Sequence, residues 1–239
     1  VSTLDDGLLA ERLAKEAGSL LLEIRPEGGA EGDRRSNELL LERLAEQRPD
    51  DAVLSEEADD DVARLESERV WIVDPLDGTR EYGEADRSDW AVHVALAIDG
   101  LPVVGAVALP ALGLVFSTAT PPSLVASRQG PVRLAVSRTR PPACTDQLVA
   151  RLDAELVPMG SAGAKAMAVV RGEADVYAHS GGQYEWDSCA PAAVAAAAGL
   201  HVSRLDGSEL RYNQADPWLP DLLICRPELA QPVLDALRG

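Results

Sequence analysis

Apolar positions along the chain follow two rhythms, and the change between them organises the reading. Leu4, Leu8, Leu13, Leu20, Leu21 and Ile24 recur at the steps of one helical face. Thr3 with Asp6 predicts the cap that starts this helix, and Pro26 with Gly28-Gly29 predicts its end. A second, short helix carries Leu40, Leu41 and Leu44 on one side. Strands are predicted at 52–55 and 70–73, the second being Val70-Trp71-Ile72-Val73. Val92, Val94, Leu96 and Ile98 then alternate with His93, Ala95 and Ala97, and Asp99-Gly100 supplies the turn of a hairpin running from Trp90 to Leu109. A third strand of that meander is expected at 113–119. After a connection at 121–131 the pattern becomes alternating strands (132–136, 155–158, 174–178, 201–205, 222–225) and helices (146–152, 164–172, 188–198, 228–237). The shift near residue 125 predicts two α/β halves, 1–125 and 126–239, with a cleft between them.

Composition narrows the class. Aromatic residues are only 4% of the chain, so the core must be built from Leu, Val, Ile and Ala. The net charge of −18 argues against a non-specific nucleic-acid or anionic-membrane surface, so a polyanionic substrate needs a local positive site or metal ions. Cys144, Cys189 and Cys225 have no zinc spacing, and their odd number suits a reducing cytoplasm. His93, His179 and His201 are scattered, which argues against a histidine-rich metal site. No apolar run reaches the roughly 20 residues of a spanning helix, and no secretory leader is recognised.

The chemistry concentrates in Asp74-Pro75-Leu76-Asp77-Gly78-Thr79, delivered by the Trp71-Ile72-Val73 strand. Such a turn alone is commonly just solvated. Here Pro75 ends the strand, Gly78 lets backbone N–H groups approach an anion, and Thr79 adds a hydroxyl. Two carboxylates beside a phosphate turn suit a hard cation such as Mg²⁺. Ser55-Glu56-Glu57 closes another strand, where ligands of α/β folds bind, although paired glutamates are ordinarily surface groups. Asp187, in Glu185-Trp186-Asp187, is either a further ligand or the N-cap of the alanine-rich helix. Gly160-Ser161 with Lys165 is equally an anion site at a helix start or a plain glycine-rich one. Ser137-Arg138 offers a phosphate contact on a two-residue signal.

Together these residues resemble the inositol monophosphatase-like superfamily of metal- and lithium-sensitive phosphatases. Its Glu-Glu pair, its Trp-Ile-x-Asp-Pro-[Ile/Leu]-Asp-Gly-Thr motif and its distal Trp-Asp all occur in order. The continuation Arg80-Glu81-Tyr82, Gly160-Ser161 with Lys165, and Glu185 before Trp186-Asp187 look like the CysQ-type branch. That branch acts on 3′-phosphoadenosine 5′-phosphate in connection with sulfate assimilation. The resemblance implies a layered αβαβα sandwich of the sugar-phosphatase type. It implies Glu56, Asp74 and the carbonyl of Leu76 at one Mg²⁺, and Asp74, Asp77 and Asp187 at a second about 4 Å away. A third ion and replacement by Mn²⁺ are compatible with it. Gly78 and Thr79 would hold the scissile phosphate, and Asp33, by its distance ahead of Glu56, would work with Thr79 and Glu56 to activate water. Leu76, Asp77, Ser137, Arg138, Gly160, Ser161, Lys165 and Asp187 are expected around the substrate, with Lys165 or Arg138 facing a second phosphate. One departure stands out: Pro26-Glu27-Gly28-Gly29-Ala30-Glu31-Gly32 replaces the family's longer connection, with its Lys-x-Asp and Thr, ahead of Asp33.

The expected reaction is hydrolysis of 3′-phosphoadenosine 5′-phosphate to AMP and phosphate by in-line attack of water, on a small-molecule substrate, with a homodimer allowed. Inositol monophosphatase and fructose 1,6-bisphosphatase activities are rivals on the same fold. A cation-binding regulatory protein is the non-enzymatic rival, and Thr79, Lys165 and Arg138 argue against it because a pure cation site needs no anion donors.

Overall fold

The computed structural model describes residues 2–238. The cap of helix α1 (Thr3–Ile24) lies one residue earlier than predicted: Ser2, not Thr3, accepts from the Asp5 N–H through its side chain at 3.2 Å. The chain then makes a single 3-10 turn over Arg25–Glu27 and passes directly into α2 (Gly29–Gln47). Of the two adjacent glycines only Gly28 lies between the helices, at φ +94°, where a side chain is disfavoured. The second helix is therefore long rather than short.

The first sheet runs in the order of the chain: β1 (Ala52–Ser55), β2 (Arg69–Asp77), β3 (Ala91–Ile98), β4 (Leu101–Leu109) and β5 (Leu114–Ser117). β1 and β2 are parallel and the other pairs antiparallel. A short helix, α3 (Thr79–Gly83), follows the acidic turn. The second sheet is built from β6 (Arg133–Ser137), β7 (Glu155–Met159), β8 (Val176–Tyr184), β9 (His201–Ser203) and β10 (Trp218–Cys225), in the order β7-β6-β8-β10-β9. Its helices are α4 (Thr145–Leu152), α5 (Ala162–Val170), α6 (Glu185–Ala197) and α7 (Ala230–Arg238).

Three apolar clusters fix five layers. Leu9, Leu13 and Leu21 of α1 and Leu40 and Leu44 of α2 pack with Trp71, Val73, Val92 and Val94 on the outer face of the first sheet. Between the sheets, α5 and α6 meet Val70, Ile72, Ala95 and Val107 on one side and Tyr177, Leu222 and Ile224 on the other. Leu148 of α4 and Val233 of α7 cover the far face of the second sheet against Val176 and Leu223. The result is the αβαβα sandwich. The central strands β2 and β3 are buried on both faces, which explains their near-continuous apolar runs.

What the alternation in β3 separates is size. The large residues face α1 and α2, and the small ones face the alanine-rich α6. Approach there is close enough that a Cβ on Gly105 would lie 2.7 Å from the Ala190 carbonyl and 2.8 Å from Ala193 Cβ. This packing brings the starts of α5 and α6 to the end of β2. Among the described residues no helix is long and apolar enough to cross a membrane. All three cysteines are free and buried.

Candidate active site

Strand β2 ends in the acidic turn, and the surrounding backbone holds that turn rigid. Asp74 is 1% exposed, and one of its oxygens accepts from the Leu76 N–H at 3.0 Å. Ser36 of α2 donates to the Pro75 carbonyl at 2.8 Å. Asn37 bridges to β1, accepting from Ser55 Oγ at 2.7 Å. Gly78 turns the chain at φ +87°, and a Cβ there would stand 3.2 Å from Ser161 Cβ, so the turn needs glycine for both conformation and space.

Asp77 is held from behind by the second half of the chain. Ser161 Oγ donates to its Oδ2 at 2.5 Å and the Gly163 N–H donates to the same oxygen at 2.7 Å. Nε2 of His93 lies 3.3 Å from it. The other ring nitrogen of His93 is 3.0 Å from the Trp186 carbonyl. All these contacts fall on Oδ2, so Oδ1 remains for a cation. His93 is fully buried, and a Cβ on Gly163 would come within 2.1 Å of its ring. Burial would raise Asp77, but His93, Lys165 and Ser161 outweigh it and hold the carboxyl at about 2.

The Thr79 hydroxyl lies 3.2 Å from the Leu76 carbonyl and 3.4 Å from Asp33 Oδ2. Asp33 is 7% exposed, and its second oxygen is buried without a hydrogen-bond partner. The short connection ahead of α2 therefore still delivers Asp33 to Thr79. Burial, then the charge of Glu57, raises Asp33 to about 7. Glu56, at the end of β1, is raised to about 7 by desolvation and by Asp187, Asp33 and Asp77. Burial raises Asp187 to about 6 with help from Asp77, and burial followed by Asp77 and Glu56 drives Asp74 far above its ordinary value. Five carboxylates repelling one another, with one buried acidic oxygen unpartnered, form a donor set that fits divalent cations. Atoms of Asp74, Asp77 and His93 come within 4.8 Å of one another. His93 Nδ1 faces the Trp186 carbonyl, while its Nε2, 3.3 Å from Asp77 Oδ2, is buried without a hydrogen-bond partner, so the cluster offers a cation carboxylate oxygens and one imidazole nitrogen.

Asp187 sits at the third position of α6, which begins at Glu185 rather than at Ser188. It is not the N-cap. Its Oδ2 accepts from the Tyr184 N–H at 2.6 Å, while its charge bears on Asp77 and Glu56. Glu185 is fully buried and accepts from the N–H groups of Asn213 and Gln214.

Beside the acidic cluster opens a cavity of about 560 Å³, lined among others by Asp77, Asp187, Ser161, Lys165, Ser137 and Tyr184. The predicted cations divide there. Lys165 lines the cavity, but its ammonium, on a residue 6% exposed, donates to the carbonyls of Gly160 (3.2 Å) and Ser161 (2.5 Å), and burial lowers its pKa. Arg138 does not line it: its guanidinium is paired with Glu81 at 2.7 Å and with Glu84. The Arg80-Glu81-Tyr82 segment thus joins the two halves through Glu81, and Tyr82 donates to the Leu21 carbonyl at 2.7 Å. Gly160 makes room for this pair, since a Cβ there would fall 2.2 Å from Glu81 Cδ.

Sequence reasoning missed His93, Ser36 and Asn37. It also missed Arg140 and Tyr184 on the cavity wall. A histidine among the small inward residues of β3 was the one signal available.

Comparison with known proteins agrees with this geometry. The profile of the inositol monophosphatase family matches residues 29–233. The 3′-phosphoadenosine 5′-phosphate phosphatase of Mycobacterium bovis is 55% identical over 238 residues, covering 93% of this chain and 89% of that protein. The protein of the same name from Mycobacterium leprae is 52% identical over 255 residues, covering 98% and 94%. Among solved structures, CysQ from Bacteroides thetaiotaomicron superposes with a TM-score of 0.78 at 26% identity, over 93% of this chain and 97% of that one.

Proposed function

The chain belongs to the inositol monophosphatase family, and from that premise we propose that it is a Mg²⁺-dependent phosphatase that hydrolyses 3′-phosphoadenosine 5′-phosphate to AMP and phosphate. The observation that carries the reading is the convergence of Glu56, Asp74, Asp77 and Asp187 beside the Asp33–Thr79 pair, next to a cavity that Asp77 and Asp187 line. Residues 1–125 supply the acidic turn, Glu56 and Asp33. Residues 126–239 supply Asp187 and most of the cavity wall. The names of the two mycobacterial relatives favour the nucleotide over inositol phosphate or fructose bisphosphate. So does Tyr184, an exposed aromatic ring on the cavity wall stacked on Trp186 at 4.7 Å, which offers a π-face to a base.

Glu56, Asp74, the Leu76 carbonyl, Asp77 and Asp187 would hold the divalent ions, and the all-oxygen set suits Mg²⁺, with Mn²⁺ as a substitute. Bound there, the ions would stabilise the charge on the transferring phosphoryl group and acidify water. The protein's own residues do the rest. Thr79 places its hydroxyl between the Leu76 carbonyl and Asp33, so Asp33 can take the hydroxyl proton and leave the Thr79 oxygen to accept one from the attacking water. Water forms the new P–O bond as the bond from phosphorus to the ribose 3′-oxygen breaks, and the departing 3′-oxygen takes its proton from solvent water. Ser161, Gly163 and His93 keep Asp77 ionised and fixed throughout.

Hydrolysis in ¹⁸O-labelled water tests this reading. One labelled atom should appear in the released phosphate and none in AMP. Label in AMP, or release of adenosine 3′-phosphate, would overturn it.

A further inference from the structure

Two residues with basic side chains that are not histidine line the cavity, Lys165 and Arg140. Lys165 is already committed to the Gly160 and Ser161 carbonyls and lies 5.4 Å from the centre of the Tyr177 ring. Arg138, two residues before Arg140, is held by Glu81 and Glu84. His179, also on the wall, has its Nε2 2.8 Å from the Gly182 carbonyl, and burial favours its neutral form. The guanidinium of Arg140 has no hydrogen bond or ion pair among the described residues. The backbone beneath it is nevertheless fixed: its N–H donates to Ser137 Oγ at 3.2 Å, and Pro141-Pro142 follows with φ locked by both rings. An exposed cation on a rigid stem, on the wall of a cavity that also contains Asp77 and Asp187, is an unoccupied anion partner.

The chemistry asks for one. A substrate with two phosphates can offer only one to the carboxylate-held ions. The other would enter a cavity lined by acidic groups on a chain of net charge −18, and it needs a donor of its own. We propose that Arg140 is a specificity-determining residue whose guanidinium takes the phosphate that is not hydrolysed, the 5′-phosphate of the nucleotide. The planar fork matches two phosphate oxygens at once, which a lysine at the same place would not. This assignment, in place of Lys165 or Arg138, rests on the nucleotide reading given above.

The test compares 3′-phosphoadenosine 5′-phosphate with adenosine 3′-monophosphate, which lacks the second phosphate, using the full chain in saturating Mg²⁺. The wild-type protein should prefer the bisphosphate. Arg140→Ala should lose about ten- to a hundredfold in kcat/KM on the bisphosphate, mainly through KM, and no more than about threefold on the monophosphate. Arg140→Lys should recover part of the loss. Arg138→Ala should weaken both substrates alike, because it loosens the contact between the halves. Equal losses on both substrates for Arg140→Ala, or an undiminished preference for the bisphosphate, would overturn the role of Arg140 while leaving the nucleotide reading intact. Absence of the preference in the wild-type protein would overturn both.

Discussion

Asp187→Asn separates the two roles of one side chain. The amide keeps an oxygen that can accept from the Tyr184 N–H, so the start of α6 survives, but the charge is gone. Burial and the neighbouring Asp77 raise the Asp187 carboxyl from 3.8 to about 6. At roughly 1.4 kcal/mol per pH unit this is an upper bound of about 3 kcal/mol of stability lost when the group ionises in the folded chain. The sign follows from a folded value above the unfolded one. The penalty is absent below pH 3.8, grows through the interval up to about 6, and is complete above it. Burying an amide also has a cost, so a net gain of about 1–2 kcal/mol is expected for the variant at neutral pH and above. For a chain of this size that is roughly 2–8 °C in melting temperature. Thermal unfolding in excess chelator at about pH 8 should show the variant more stable than wild type, with the difference shrinking towards pH 4. In saturating Mg²⁺ the same variant should lose most of its kcat. Lower stability in chelator with full activity in Mg²⁺ would refute the reasoning and leave Asp187 as a helix-start residue only.

Asp33, Glu56 and Asp74 are raised as Asp187 is, so Mg²⁺ should raise the melting temperature more at about pH 8 than at pH 5, where Asp33 and Glu56 retain their protons. Excess chelator should abolish phosphate release and added Mg²⁺ or Mn²⁺ restore it; full activity in chelator would remove the cation from the account. Asp33→Asn and Thr79→Val should each lower kcat by about a hundredfold or more with an unchanged circular dichroism spectrum. Near-normal rates would leave their contact without a catalytic role. Gly163→Ala, whose Cβ would stand 2.1 Å from the buried His93 ring, should cost about 1–3 kcal/mol or more in urea unfolding, and an unperturbed midpoint would contradict the close packing described.

The acidic turn was legible because its signals are consecutive: an apolar strand, a proline, a glycine and a threonine within nine residues. Glu56 and Asp187 came forward through the resemblance; the local pattern alone left the first in an ordinary pair of glutamates and the second as a helix cap. The layered fold came through the resemblance, whereas the residue pattern alone yielded two α/β halves. What could not be read was direction. Arg138 and Arg140 differ by two positions, and only the fold shows that Glu81, 57 residues away, takes the first and leaves the second on the cavity wall. Lys165 looked like a free cation because its acceptors are backbone carbonyls, which carry no sequence signature. His93 depends on Asp77, Gly163 and Trp186, groups that meet only when α5 and α6 pack against the first sheet. Gly28-Gly29 marked a break correctly, but adjacent glycines do not reveal which of them already belongs to the next helix.

The acidic site serves a bisphosphorylated nucleotide. This is tested most directly by kcat/KM for 3′-phosphoadenosine 5′-phosphate, inositol 1-phosphate and fructose 1,6-bisphosphate, measured side by side on the same protein in saturating Mg²⁺. The nucleotide should exceed both sugar phosphates by at least about tenfold, the scale of one charge-assisted contact. Equal or higher kcat/KM on either sugar phosphate would contradict it.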